Sequence, residues 1–169
     1  MRYQVILLIC FLSIHSCACG QGNLRPIEEK IKEIYKNTVP IIKPENLIKK
    51  LNQGQEIIII DTRTKDEYNI SHIKTALLIN YDNFNPESVK DFSKSSELVL
   101  YCSIGYRSER LGEILIQMGF TNVYNLYGGI FEWFNKENEV VNSNGEKTNK
   151  IHSYSRKWAK FVERGDVVY

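Results

Sequence analysis

Four isoleucines in a row, Ile57, Ile58, Ile59 and Ile60, constrain the fold of this 169-residue chain more than any other feature. A run of β-branched residues with no polar alternation suits a strand covered on both faces, as in the middle of a parallel sheet with helices on either side. Helical and strand patterns alternate around it. Pro26 opens a stretch in which Ile27, Ile31, Ile34 and Tyr35 recur at helical spacing, and Pro44 opens another carrying Leu47, Ile48 and Leu51 that Gly54 ends. Thr64-Lys65-Asp66-Glu67 offers a hydroxyl cap with a carboxylate three residues on, which predicts a short helix through Tyr68. Residues 76–79, 98–101 and 123–126 read as further strands, and 86–92 as a helical turn or two. Leu111, Ile114, Leu115 and Met118 mark the clearest helix, stopped by Gly119, and Gly128-Gly129 turns the chain into an aromatic segment, residues 130–134. Parallel neighbours need crossover connections, so this alternation predicts an α/β fold with a parallel sheet flanked by helices on both faces.

Both ends of the chain carry a different character. In residues 1–19, Arg2 precedes an apolar stretch from position 5 to 14 and then Ile14-His15-Ser16-Cys17-Ala18-Cys19. The apolar stretch is half the roughly 20 residues a membrane-spanning helix needs, so it reads as an export signal. Its ending resembles a bacterial lipoprotein signal with Cys17 as the lipidated residue, and that resemblance implies a bacterial cell-envelope location, periplasmic or held to a membrane through an N-terminal lipid alone. Residues 20–40 form a leader with a short helix, in part a tether. Residues 41–136 carry the main domain, and 137–169 an extension in which Tyr154, Trp158, Phe161 and Val162 outline an amphipathic helix. A formal net charge of +2 argues against a nucleic-acid partner, which demands a concentrated basic face.

Of four cysteines, Cys10, Cys17 and Cys19 fall in the signal, which leaves Cys102 as the one thiol of the folded body. It ends the strand pattern of residues 98–101 and opens Cys102-Ser103-Ile104-Gly105-Tyr106-Arg107-Ser108, beyond which a helix begins. Ligands bind at the carboxyl ends of parallel strands, and a strand-to-helix turn gathers unpaired amides and the positive end of a helix dipole around a sulfur anion. Asp61 lies at the end of a strand that can neighbour it. Two histidines and one body cysteine lack metal-ligand spacing, and Gly128-Gly129 has no Lys-Ser/Thr after it, so neither a metal nor another cofactor is expected.

Three stretches together resemble the rhodanese (sulfurtransferase) family as a single domain. They are Ile59-Ile60-Asp61-Thr62-Arg63 with Glu67-Tyr68 and His72-Ile73; Tyr101-Cys102-Ser103-Ile104-Gly105-Tyr106-Arg107-Ser108; and residues 119–130, ending in Gly128-Gly129-Ile130, followed by Trp133. Two departures lie in one connecting turn: Ser71 replaces the glycine usual before the histidine, and Lys74-Thr75-Ala76 stands where Pro-Gly-Ala is common. The resemblance implies a rhodanese-like fold and a two-step exchange. Cys102 takes sulfane sulfur from a thiosulfate-like donor, holds it as a persulfide and passes it to a thiol or protein acceptor. Amides from Ser103 to Ser108 would cradle the persulfide, Gly105 would let the chain curl, and Arg107 would present a cation to an anionic donor. Removing one donor from a comparable cradle costs roughly 3 kcal/mol. Ile104 and Tyr106 would shape the entrance, which favours a larger acceptor. Asp61, Arg63 and Glu67 are expected to form an internal charge network, His72 to hold the turn after the first motif, His152 to lie at the surface, and Trp133 and Trp158 to anchor packing. Two rival readings are weighed against this one. A Cys-dependent phosphatase or arsenate reductase needs five residues between cysteine and arginine, whereas this loop has four. A non-catalytic binding module of the same fold stays open.

Overall fold

The isoleucine run becomes part of a five-stranded, wholly parallel sheet in the computed structural model, which describes residues 24–169. The proposed signal and Cys17 lie outside the described residues. The strands are β1 (Ile41–Ile42), β2 (Ile57–Asp61), β3 (Leu77–Leu78), β4 (Glu97–Tyr101) and β5 (Asn122–Leu126), in the order β1-β5-β4-β2-β3. The helices are α1 (Pro26–Ile34), α2 (Pro44–Asn52), α3 (Lys65–Ile70), α4 (Tyr106–Gln117) and α5 (Gly129–Asn135). No helix among the described residues is long and apolar enough to cross a membrane.

Alternation along the strands divides the core in two. Leu98 and Leu100 of β4 pack with Ile60, Leu111 and Leu115 under α4, while Val99 and Tyr101 pack with Ile59, Leu47 and Phe131 under α2 and α5. Ile59 and Ile60 therefore face opposite layers, the arrangement expected of a strand buried on both sides. Helix α3 begins with the capping box its sequence announces: the Glu67 amide donates to Thr64 Oγ1 (3.3 Å) and the Thr64 amide to Glu67 Oε2 (3.0 Å). The connecting turn that departs from the resembled pattern keeps its shape at a cost. Thr75, where glycine is common, has φ +69°, a left-handed conformation costing a β-branched residue about 1–2 kcal/mol.

Two expectations are corrected. From Leu24 onward the leader is not a tether, because Ile27, Ile31 and Tyr35 are buried in the main core and Arg25 pairs with the buried Glu132 (2.7 Å). The extension does not form the amphipathic helix. It builds a hairpin of β6 (Val140–Val141) and β7 (Lys147–Thr148), then a parallel pair of β8 (Lys150–His152) and β9 (Asp166–Val168), with only a 3₁₀ turn, Ala159–Phe161, between them. The local pattern lost to long-range partners. Tyr154 has φ +66°, which no helix continues through, and Asn135 ties down the following stretch by donating to the Phe161 carbonyl and accepting from the Glu163 amide (both 2.9 Å).

Candidate active site

Strand β4 ends at Tyr101, and the next residue, Cys102, stands at the carboxyl edge of the sheet beside Asp61, which lies in register with Tyr101 on the adjacent β2. Helix α4 starts four residues later, at Tyr106. The intervening turn brings the Gly105 amide to 3.1 Å from Cys102 Sγ, and the first amides of α4 have no intrahelical acceptor. The loop's carbonyls are held from outside. Cys102 O accepts from the Ile130 amide (2.9 Å) and Ser103 O from the Phe131 amide (3.1 Å), so α5 grips the back of the loop. Ile104 O accepts from the Tyr35 hydroxyl (2.7 Å), and Gly105 O from Asn125 Nδ2 (3.0 Å). With its carbonyls turned outward and bonded, the loop can offer amide hydrogens to a negative sulfur.

Glycine is required at two points of this packing. Gly105 has φ +108°, and a Cβ there would run into the Tyr35 ring, 2.5 Å from Cζ. Gly129 has φ +56°, and its Cβ would strike the Cys102 carbonyl oxygen and come within 2.9 Å of the Ile104 nitrogen. Tyr35 itself escaped the sequence reading, which placed it only on an apolar helix face. Besides donating to Ile104 it accepts from the Gly128 amide (3.0 Å), which clamps the Cys102 loop to the double-glycine turn. Burial pushes its hydroxyl pKa well up, so it stays a donor.

The charged residues form two buried pairs. Arg63 bonds Asp61 through Nε (2.9 Å) and Nη2 (2.6 Å) and donates from Nη2 to the Ser71 carbonyl (2.6 Å); both side chains are fully buried. This pair ties β2 to the turn bearing His72, whose ring stacks on Tyr68 at 3.8 Å and whose backbone bridges to Val141. None of Asp61, Arg63 and His72 hydrogen-bonds the thiol, whose partner among the described residues is the Gly105 amide. Glu67 binds Arg107 bidentately (2.7 and 2.9 Å), and Ser103 Oγ bridges the two (3.1 Å to each). Arg107 therefore stands beside the loop with its guanidinium fixed by Glu67. The Ser108 side chain is buried, its hydroxyl donating to Asn125 Oδ1 (2.7 Å), which leaves its backbone amide as the part expected to serve the loop.

Burial works against the Glu67 carboxylate, but the Arg107 hydrogen bonds and charge, the Thr64 amide and the Arg63 charge outweigh it and bring its pKa from 4.5 to about 2. A carboxyl depressed in the folded state stabilises the fold above its unfolded pKa and loses that contribution as pH falls through the folded one. Glu67 should therefore contribute on the order of 3 kcal/mol above about pH 4.5, lost progressively towards pH 2. Urea unfolding across that window should show a flatter pH dependence in Glu67→Gln than in the unmodified protein; parallel curves would disprove the assignment.

Cys102 is only 2% exposed and lies at the floor of a cavity of about 400 Å³. Ile104, Tyr106 and Arg107 contribute to its lining, as the sequence suggested for the first two. Tyr81 and Asp82 join from the loop after β3, Lys30 and Ile34 from α1, and Tyr154 and Trp158 from the extension. These six were missed because nothing local marks a residue as facing a site assembled from distant segments. Trp158, read as a packing anchor, lines the cavity as well as packing on Phe161 (5.5 Å between centroids). His152 is half-buried, its Nδ1 accepting from the Tyr154 amide (3.0 Å), and burial lowers its pKa. Among the described residues no cluster of histidine, cysteine or carboxylates is grouped to hold a metal ion.

Comparisons with known proteins agree with this architecture. The family model described as Rhodanese-like domain matches residues 43–136, more than half of the chain. A curated protein named tRNA uridine(34) hydroxylase from Cytophaga hutchinsonii is 30% identical over 50% of this chain and 28% of its own. A protein of the same name from Aster yellows witches'-broom phytoplasma is 31% identical over 63% of this chain and 36% of its own. The chain thus spans between about a quarter and a little over a third of the length of these relatives. The crystal structure of a rhodanese-like domain protein from Staphylococcus aureus superposes with a TM-score of 0.52 at 30% identity, covering 56% of this chain and 90% of that one.

Proposed function

Because the chain belongs to the rhodanese-like domain family, we propose that it is a sulfurtransferase in which Cys102 carries sulfane sulfur as a persulfide. The Cys102 thiolate attacks the outer sulfur of a thiosulfate-like donor. The donor's S–S bond breaks, sulfite leaves with the bonding pair, and the new S–S bond joins Cys102 to the transferred atom. A thiolate acceptor then attacks that outer sulfur and returns the electron pair to Sγ. Cys102 carries a negative sulfur before and after each step, first as thiolate and then as persulfide, and the Gly105 amide is directed at Sγ. The observation that carries the reading is the Gly105 amide 3.1 Å from Cys102 Sγ at the floor of a cavity. Arg107, neutralised by Glu67, acts here as a brace for Ser103 and the loop.

Mass spectrometry after treatment with thiosulfate tests the proposal. A gain of one sulfur atom on the peptide containing Cys102 is expected, reversed by cyanide with release of thiocyanate. The name of these relatives, tRNA uridine(34) hydroxylase, supports a second reading, action on a tRNA uridine. The same measurement separates the two: no sulfur gained from any sulfane donor would overturn the transferase reading.

A further inference from the structure

The cavity over Cys102 is not built by the family core alone. Residues 43–136 supply its floor and one rim, with Tyr81 and Tyr106. Lys30 and Ile34 of α1 and Tyr154 and Trp158 of the extension, all outside the matched segment, supply the rest. These outer residues are held as a wall. Trp158 meets Tyr154 edge-to-face at 6.2 Å and Phe161 at 5.5 Å, and α1 contacts the 3₁₀ turn Ala159–Phe161. Cations lie over the rings, with the Arg107 guanidinium 5.1 Å from the Tyr154 centroid and Lys30 Nζ 5.9 Å from that of Trp158. Trp158 is half-buried, while Tyr154 is 56% exposed at the mouth.

A volume of about 400 Å³ falls in the range that encloses organic ligands and far exceeds what cyanide or a single transferred sulfur fills. Four aromatic rings offer flat surfaces on which another ring gains more than its buried area alone provides. Cys102, 2% exposed beneath them, is open to a small molecule that enters thiol-first with its ring left against the wall, and is shielded from a broad protein surface. Resting on the sulfur-transfer reading above, we infer that the acceptor is a low-molecular-weight organic thiol bearing an aromatic ring, and that Tyr154 and Trp158 determine this preference. Its thiolate attacks the outer sulfur of the persulfide, the Cys102 S–S bond breaks with the electron pair returning to Sγ, and the acceptor leaves as its own persulfide.

The test uses the full chain, loaded with thiosulfate and freed of excess donor, with sulfur followed on the peptide containing Cys102. Discharge of Cys102 is followed with benzyl mercaptan and with 2-mercaptoethanol, thiols of comparable acidity of which only the first has a ring. Half-saturation by benzyl mercaptan is expected at a concentration about tenfold lower. Tyr154→Ala and Trp158→Ala should each shrink that ratio severalfold. If Trp158→Ala does not fold, Tyr154→Ala decides, since an exposed ring at the mouth can be removed without opening the core. Equal half-saturation by the two thiols, or a ratio unmoved by Tyr154→Ala, overturns the inference while leaving sulfur transfer standing. Failure of thiosulfate to load Cys102 at all overturns both.

Discussion

Cys102→Ser is expected to reduce sulfur uptake and thiocyanate formation to the background rate while changing stability by no more than about 1 kcal/mol. The serine hydroxyl fits the space vacated by the thiol and keeps the Gly105 amide as a hydrogen-bond donor, so the loop loses no partner. What disappears is a nucleophile able to hold a second sulfur through an S–S bond. The full chain contains three further cysteines, Cys10, Cys17 and Cys19, so peptide mapping must accompany the whole-protein mass. Sulfur still arriving on the peptide spanning residue 102 after substitution would show that the thiol is not the acceptor. Turnover lost together with the folded state, read from circular dichroism, would instead assign Cys102 a packing role.

Arg63→Leu should cost about 3–5 kcal/mol, the largest stability loss expected among the charged residues. Asp61 and Arg63 are both fully buried and bond each other through two guanidinium nitrogens; Arg63 also holds the Ser71 carbonyl. Leucine would leave the Asp61 carboxylate without its counter-charge and the Ser71 carbonyl without its donor, each an uncompensated polar group away from water. Replacing both members by apolar residues removes the stranded charge, so Asp61→Leu/Arg63→Leu should recover part of the loss, a coupling that a double-mutant cycle in urea measures. A single-variant cost below about 1 kcal/mol would mean that water reaches Asp61. The damage should spread to the turn carrying His72, because the Ser71 carbonyl is where the pair holds it.

The glutamate that sequence reasoning grouped with this pair works elsewhere. Asp61 and Arg63 pin the edge of the sheet, while Glu67 crosses to Arg107 and Ser103 and braces the loop of Cys102. Residue type and spacing show that these side chains are charged and close to one motif, but the choice among possible partners depends on which strand and helix ends meet. Tyr35 makes the same point. Its place on an apolar helix face was legible, yet its hydroxyl finds Ile104 and Gly128 only because α1 docks against the loop and the double-glycine turn at once.

Local chemistry was enough to announce the sheet, the helices beside it and the thiol at a strand end. An unbroken isoleucine run has nowhere to go but between two layers, and the turn after a parallel strand opens at the sheet's carboxyl edge. Those are short-range constraints, carried by side-chain shape and backbone geometry. The wall over the thiol and the extension's true form depended on distant segments meeting. Apolar residues at helical spacing in the extension were taken up by Phe134, Asn135 and α1, whose contacts outweigh the weak preference of a short stretch for a helix.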